Sequence, residues 1–254
     1  MGKKPQPPIE ELFQESYRQL LHIAVALFII PLRWFGFRYA IGFAIAAFLW
    51  NLLVMPRWFK GSFRPSEKQK GYSTGMLVYP ISILVMAVLF PLPIMAAGWA
   101  VLSVSDGSAT LFGKLFGKRH LPWKKNKTWI GSFSFFISAT FFGWIALLWT
   151  GNNMEFSSSF AWKFFHSLES AIPIFSRNEC YPIDYFMNVF LDDTWLILFC
   201  SCIAGFGAAI IESLPFPKFN DNLFVPIFYC LFCMFIIRLV SLFTLIDVVA
   251  GTGP

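Results

Sequence analysis

The chain has 254 residues, of which 57% are hydrophobic, 19% aromatic and only 13% charged, with a mean hydropathy of +0.62. A water-facing surface needs about twice that charge, so disorder, a coiled coil and an ordinary soluble enzyme are excluded, and an all-α polytopic membrane bundle is expected. The net charge of +6 is spread over the whole chain and is no nucleic-acid signal, so no nucleic-acid partner is expected.

The residues before the first long apolar run, 1–15, form a polar segment with Lys3, Lys4, Glu10, Glu11 and Glu15, which is not the pattern of a secretory leader. Seven apolar segments follow, at about Leu20–Trp34, Tyr39–Met55, Thr74–Phe90, Pro91–Ser105, Thr128–Trp149, Thr194–Ile211 and Leu223–Ile246. Each is read as a transmembrane helix, giving a single membrane domain over 1–254. The third and fourth are separated by Pro-Leu-Pro and form a tight hairpin or one kinked element. Trp50, Trp58, Trp144 and Trp149 near span ends read as interfacial anchors. Small residues at Ala204–Ala209 suit close helix packing or a groove for a lipid chain.

Charge orders the connections. Fifteen of the 20 basic residues fall in 1–21, 56–73, 106–127 and 212–222, which seven crossings put on one side. The long connection 150–193 is acidic, and its stretch SSSFAWKFFHSLESAIPIF has helical apolar spacing. The positive-inside rule then places the N-terminus and the basic loop in the cytoplasm and the C-terminus outside. Four of the five cysteines (Cys200, Cys202, Cys230, Cys233) lie in apolar runs and read as packing residues, while Cys180 is alone in the polar connection.

Ionisable groups beside apolar spans cost about 2.5–3.5 kcal/mol at a helix centre and need a partner or a task. Glu15, Arg18 and His22 share a helix face by their spacing. Asp106, Gly107 and Ser108 close the fourth span, and 106–127 reads as a basic cytoplasmic nucleotide-binding loop. It carries Lys114, Gly117, Lys118, Arg119, Lys124, Lys125 and Lys127, followed by Thr128. A carboxylate beside clustered cations suits a magnesium-bound polyphosphate, the carboxylate on the metal and the bases on the phosphates. The spacing of a Walker loop is absent. Glu212 closes the sixth span, and Asp221 with Asn222 opens the seventh, as helix caps or as further oxygen ligands. A fourth cluster, with Lys70, Tyr72, Ser73 and Tyr79, borders a phosphate or hydroxyl site or anchors the chain at the interface.

SDGSATLFGKLFGKRHLPWKKNKTWIGS, then ESLPFPKFNDNLFVP, with YRQLLH upstream, resembles the polyprenol kinase family, which includes phytol kinase, dolichol kinase and CTP-dependent diacylglycerol kinase. The likeness covers about residues 15–246. It implies a kinase that transfers the γ-phosphate of CTP, with Mg2+, to a lipid alcohol held among the spans. It assigns Asp106, Glu212 and Asp221 to metal binding and catalysis. It assigns Gly107, Lys114, Gly117, Lys127, Thr128 and Asn222 to the nucleotide; by their charge Lys118, Arg119, Lys124 and Lys125 are expected to join them on the triphosphate, and by their shared helix face Arg18 and His22 are expected at the entrance of the site. The basic block is also similar to phosphatidate cytidylyltransferase, whose C-terminal Lys-Asp, His-Gly-Gly and Asp-Arg signature has no counterpart here. Two positions depart from the kinase pattern: Gln19 follows Arg18 where a lysine is usual, and Ile130 stands where a glutamate is usual. A transporter, the non-enzymatic alternative, would place polar groups at mid-membrane and show internal repeats. Here the polar groups crowd one interface, with Arg238 the main exception.

Overall fold

The computed structural model describes residues 19–59, 63, 67, 70, 72–151, 193–215 and 220–249, with side chains in the last stretch to 240 except 238. Arg18, the segment 1–15, Lys218, Cys180, the side chain of Arg238 and the acidic connection from 152 to 192 lie outside the described residues.

Helix α1 (Gln19–Ile29) ends in a 3₁₀ turn over Val25–Ile29. Pro31 then ends the run, because it has no N–H to continue the ladder. Trp34, expected in the first segment, therefore belongs to α2 (Leu32–Trp58). Gly36 in α2 has φ 58° and ψ −147°, a conformation that L side chains avoid, and it kinks the helix. A π-helical turn over Trp50–Val54 follows in the same helix.

Helix α3 (Thr74–Leu89) is capped by Ser73, whose hydroxyl accepts from the Met76 amide. Phe90 and Pro91 are extended, so the hairpin reading holds over the kinked-rod one. Helix α4 (Leu92–Ala100), a π-helical turn (Val101–Ser105) and α5 (Asp106–Phe116) run on without a break. Every residue of α4 and of the π turn is buried, so this rod is the axis of the bundle. Helix α6 (Trp129–Thr150) is capped by Thr128, α7 (Thr194–Ser213) by Asp193, and α8 spans Asp221–Val249.

The expected loop 106–127 is thus half helix. Gly107, Ser108 and Ala109 are buried, and their small size lets the rod pass between its neighbours. The Ser108 hydroxyl meets that of Ser138 on α6 at 2.8 Å, and a Cβ on Gly107 would collide with the Ile23 side chain of α1. Asp106 thus lies inside this continuous rod rather than at a free helix end. The loop proper is 117–128.

Ala204–Ala209 packs rather than opening a groove. Ala204 and Ala208 are fully buried, and a Cβ on Gly205 would lie 2.9 Å from the Thr140 hydroxyl of α6. Cys200, Cys230 and Cys233 are buried free thiols, as their apolar flanks suggested.

Among the described residues three helices are long and apolar enough to cross a membrane: Leu32–Trp58, Trp129–Thr150 and Thr194–Ser213. Their outward faces carry exposed Ile45, Ile137 and Phe206. Apolar groups facing out around a buried central rod are what a lipid-solvated bundle requires.

Contacts show that successive helices run alternately between two ends of the bundle. At one end Ile30 and Arg33 meet Trp149: the Trp149 indole donates to the Ile30 carbonyl at 2.9 Å, and the Arg33 guanidinium lies 4.8 Å from the ring centroid. At the other end His22 meets Leu102, Gly75 lies beside Asn222, and the loop 117–128 meets Glu212 and Asp221. All three candidate carboxylates are at that second end.

Candidate functional site

The loop 117–128 is a short hairpin. The Trp129 amide donates to the Arg119 carbonyl at 3.1 Å, His120 and Thr128 form a bridge, and the Leu121 amide donates to the Lys127 carbonyl at 2.9 Å. The Lys127 amide donates to the Lys124 carbonyl at 3.0 Å and closes the turn. Leu121 is buried and anchors the loop against the bundle. Five cations on so short a loop repel one another, so the fold must bring anions to it.

It brings them from 85 and more positions away. The Lys127 ammonium donates to the Glu212 carboxylate at the end of α7. The Lys124 ammonium donates to the Glu212 carbonyl at 2.8 Å and to the Asp221 carboxylate at 3.3 Å. The Trp123 indole donates to the Ser213 carbonyl at 2.9 Å. Four hydrogen bonds thus clamp the hairpin across the gap between α7 and α8. Burial works to lower the pKa of Lys127, but the negative fields of Glu212, Asp106 and Asp221 outweigh it, and the net direction is upward from 10.5. One lysine therefore senses all three carboxylates.

Glu212 is only 1% exposed. Its Oε1 is taken by Lys127, while its Oε2 is buried with no hydrogen-bond partner. An orphaned buried carboxylate oxygen is costly to keep and marks a place where a further donor or a cation belongs. The Ser105 hydroxyl, next to Asp106, is likewise buried without a partner.

Asp106 is partly buried at the mouth of the bundle. The His22 ring lies beside it, with Nε2 3.9 Å from Oδ2, and donates to the Leu102 carbonyl in the π turn at 3.1 Å. π turns inside helices concentrate at functional sites. Under His22 lies a buried polar chain. The His22 ring meets Tyr79 edge-on at 4.8 Å, and the Tyr79 hydroxyl accepts from the Trp99 indole at 2.9 Å and pairs with Ser103 at 2.6 Å. Tyr79 of the fourth sequence cluster is therefore part of the site wall, whereas Ser73 of the same cluster caps α3 and donates to Glu67 at 2.7 Å. Trp99 and Ser103 carry no sequence signal beyond their place in an apolar run.

Other expected residues have local structural tasks. Thr128 accepts from the Gly131 amide at 3.1 Å and caps α6. Gly117 packs against Thr128 and the Gly113 carbonyl, so the glycines let α5 and α6 approach. Asn222 donates its amide to the Asn220 side chain at 3.0 Å, and its carbonyl accepts from Ser82 at 2.8 Å. Asn220, not Asp221, caps α8, which leaves the Asp221 carboxylate for Lys124. Asn, Asp and Asn stand in a row at 220–222, and each is a good cap, so sequence alone did not choose. Lys114, Lys118 and Lys125 are exposed, as is Arg119. Among the described residues no three His, Cys, Asp or Glu side chains lie close enough to share one metal ion. The carboxylates surround Lys127 instead of gathering at one point.

No family profile and no solved structure matches the chain. Segments of it are similar to curated proteins. A probable chloroplastic phytol kinase 1 of Oryza sativa subsp. japonica is 41% identical over 66 residues, 25% of this chain and 21% of that protein. A probable chloroplastic phytol kinase of Triticum aestivum is 31% identical over 91 residues, 32% of this chain and 30% of that protein. An uncharacterized protein of Rickettsia prowazekii is 24% identical over 177 residues, 69% of this chain and 65% of that protein. The chain thus spans less than two thirds of each of these relatives, and its likeness to the phytol kinases is confined to short segments.

Proposed function

We propose that this chain is a multi-pass membrane lipid-alcohol kinase, which transfers the γ-phosphate of a nucleoside triphosphate to the hydroxyl of a phytol- or polyprenol-type isoprenoid. The observation that carries this reading is the meeting of Asp106, Glu212 and Asp221, from three distant stretches, around Lys127 of a lysine-rich hairpin. The segmental likeness to phytol kinases supports the acceptor class. CTP as donor rests on the family resemblance alone. The alternating course of the helices and the basic loops support seven crossings with this site in the cytoplasm.

Phosphoryl transfer needs mainly positioning and charge neutralisation. Lys124, Lys125 and Lys127 take the triphosphate oxygens, and Lys124 exchanges Asp221 for phosphate as the nucleotide enters. Magnesium uses one or two carboxylates and completes its shell with phosphate oxygens and water. The partly buried carboxylate of Asp106 and the orphaned Oε2 of Glu212 fit that donor set, with Asp221 available once Lys124 leaves it. The bound ion would draw charge from the phosphates. The lipid hydroxyl reaches the site between α1, α3 and α4, where His22 and Tyr79 form the wall. Its oxygen bonds to the γ-phosphorus, the bond to the bridging oxygen breaks, and the hydroxyl proton passes to a carboxylate oxygen of the cluster.

The test is transfer of label from γ-labelled CTP or ATP to phytol, farnesol, dolichol or diacylglycerol in membranes holding the protein. Labelled lipid phosphate is expected, and Asp106→Ala and Asp221→Ala should abolish it. Pyrophosphate and a CDP-lipid as products would make the chain a cytidylyltransferase. Full transfer by either variant would remove the site assignment.

A further inference from the structure

The cations of the hairpin fall into two groups. Lys124 and Lys127 turn inward to the carboxylates, whereas Lys118 and Arg119 are exposed and have no ion pair among the described residues. With Phe116, Trp129 and Ile130 these two line a partly open cavity of about 440 Å³.

Its position decides what it can hold. Trp129 is the first residue of α6, one of the three long apolar helices, so the cavity opens where that helix leaves the lipid. Its wall is exposed apolar surface: Phe116 is 57% exposed and Trp129 52%. The surface continues along the helices, since Phe112 stacks on Phe116 at 5.9 Å and Phe133 on α6 is also exposed. The Trp123 ring packs edge-on against Trp129 at 5.7 Å and fixes that wall.

Two unpaired cations at the mouth call for a phosphate, and the guanidinium fork of Arg119 matches its oxygens in pairs. The aromatic track leading into the lipid-facing surface calls for a hydrocarbon chain on the same molecule. A nucleobase would stack on a single ring, whereas the exposed apolar surface runs on from Phe116 to Phe112 and Phe133, a length that suits a hydrocarbon chain. We propose that this cavity binds the headgroup of an anionic phospholipid from the surrounding bilayer, with its phosphate on Lys118 and Arg119 and the first part of its acyl chain on Phe116, Trp129 and Ile130. The lipid would tie one side of the hairpin to the membrane while the other side stays clamped to α7 and α8. This site is separate from the carboxylate cluster, and its occupancy does not depend on kinase activity.

The experiment uses the full chain in nanodiscs of phosphatidylcholine with a minority of phosphatidylglycerol. Lipids that stay bound after extraction are counted by native mass spectrometry. The protein should retain phosphatidylglycerol in preference to phosphatidylcholine. Lys118→Gln and Arg119→Gln should each lower that retention about fivefold, the share of one cation near an anionic surface. Trp129→Ala should lower it as well. The charge-keeping Lys118→Arg should restore it, and Arg57→Gln, at the same end but outside the cavity, should leave it unchanged. Unaltered retention in the Lys118→Gln, Arg119→Gln double variant overturns the proposal. Displacement of the lipid by inorganic phosphate or CTP also overturns it, because the cavity would then be a soluble-phosphate site.

Discussion

Lys127→Met should destabilise the protein through Glu212 rather than through the lysine itself. In the native chain Glu212 is 1% exposed, its Oε1 is held by Lys127 and its Oε2 has no partner. Methionine keeps the length of the lysine stem but removes the cation, and leaves a buried carboxylate with neither oxygen partnered on that side. Breaking a buried pair by removing one member costs about 3–5 kcal/mol. The lower end applies here, because the Lys127 side chain keeps 22% of its exposure and part of its field is screened. A loss of about 3 kcal/mol in a chain of this size lowers Tm by roughly 6–12 °C. Adding Glu212→Gln removes the stranded charge, so the double variant should regain at least about 1 kcal/mol over Lys127→Met. The assay is thermal unfolding in detergent, followed by tryptophan fluorescence, for the wild type, both single variants and the double. If Lys127→Met melts with the wild type, or the double melts no higher than Lys127→Met, the ion pair is not what holds the hairpin.

The same pair sets a pH dependence. Lys127 has a folded pKa above its ordinary 10.5, so its contribution is complete below that pH and is lost as pH rises through the folded value. Tm should therefore hold through mildly alkaline pH and show a drop above about pH 10.5 that Lys127→Met lacks. Tyr79→Phe removes the acceptor of the Trp99 indole and the partner of Ser103, and should cost about 1–3 kcal/mol by the same melting assay while leaving helix content by circular dichroism unchanged. Gly131→Ala would bring a Cβ to 2.9 Å from the Ala109 carbonyl. It should cost about 1–3 kcal/mol by overpacking the α5–α6 contact, and a Tm equal to wild type would show that these helices separate at no cost.

Much of this protein is legible in its residue order. Apolar runs of span length specify helices whatever their neighbours, because buried backbone must satisfy its own hydrogen bonds, and all seven expected segments contain helix. Local chemistry also singled out Asp106, Glu212, Asp221 and the lysines as charges too costly beside apolar spans to lack a partner, and the fold gathers them at one end of the bundle. Local chemistry misled where two structures share one signal. Asp-Gly-Ser reads as the end of a span, yet those small residues let a continuous rod pass between α1 and α6. The family resemblance gives Gly117 to the nucleotide, yet its space is filled by Thr128 and the Gly113 carbonyl.

Only the tertiary structure decided which lysine meets which acid. Lys124 and Asp221 are 97 positions apart, and Lys127 and Glu212 are 85. Their pairing follows from how α7 and α8 pack beside the hairpin, and Coulomb attraction has no memory of chain distance. The tertiary structure likewise gave the cap of α8 to Asn220 and freed Asp221, and it left Lys118 and Arg119 exposed while Lys124 and Lys127 turned in. Charges adjacent in sequence were sorted by what each side of one short hairpin happened to face.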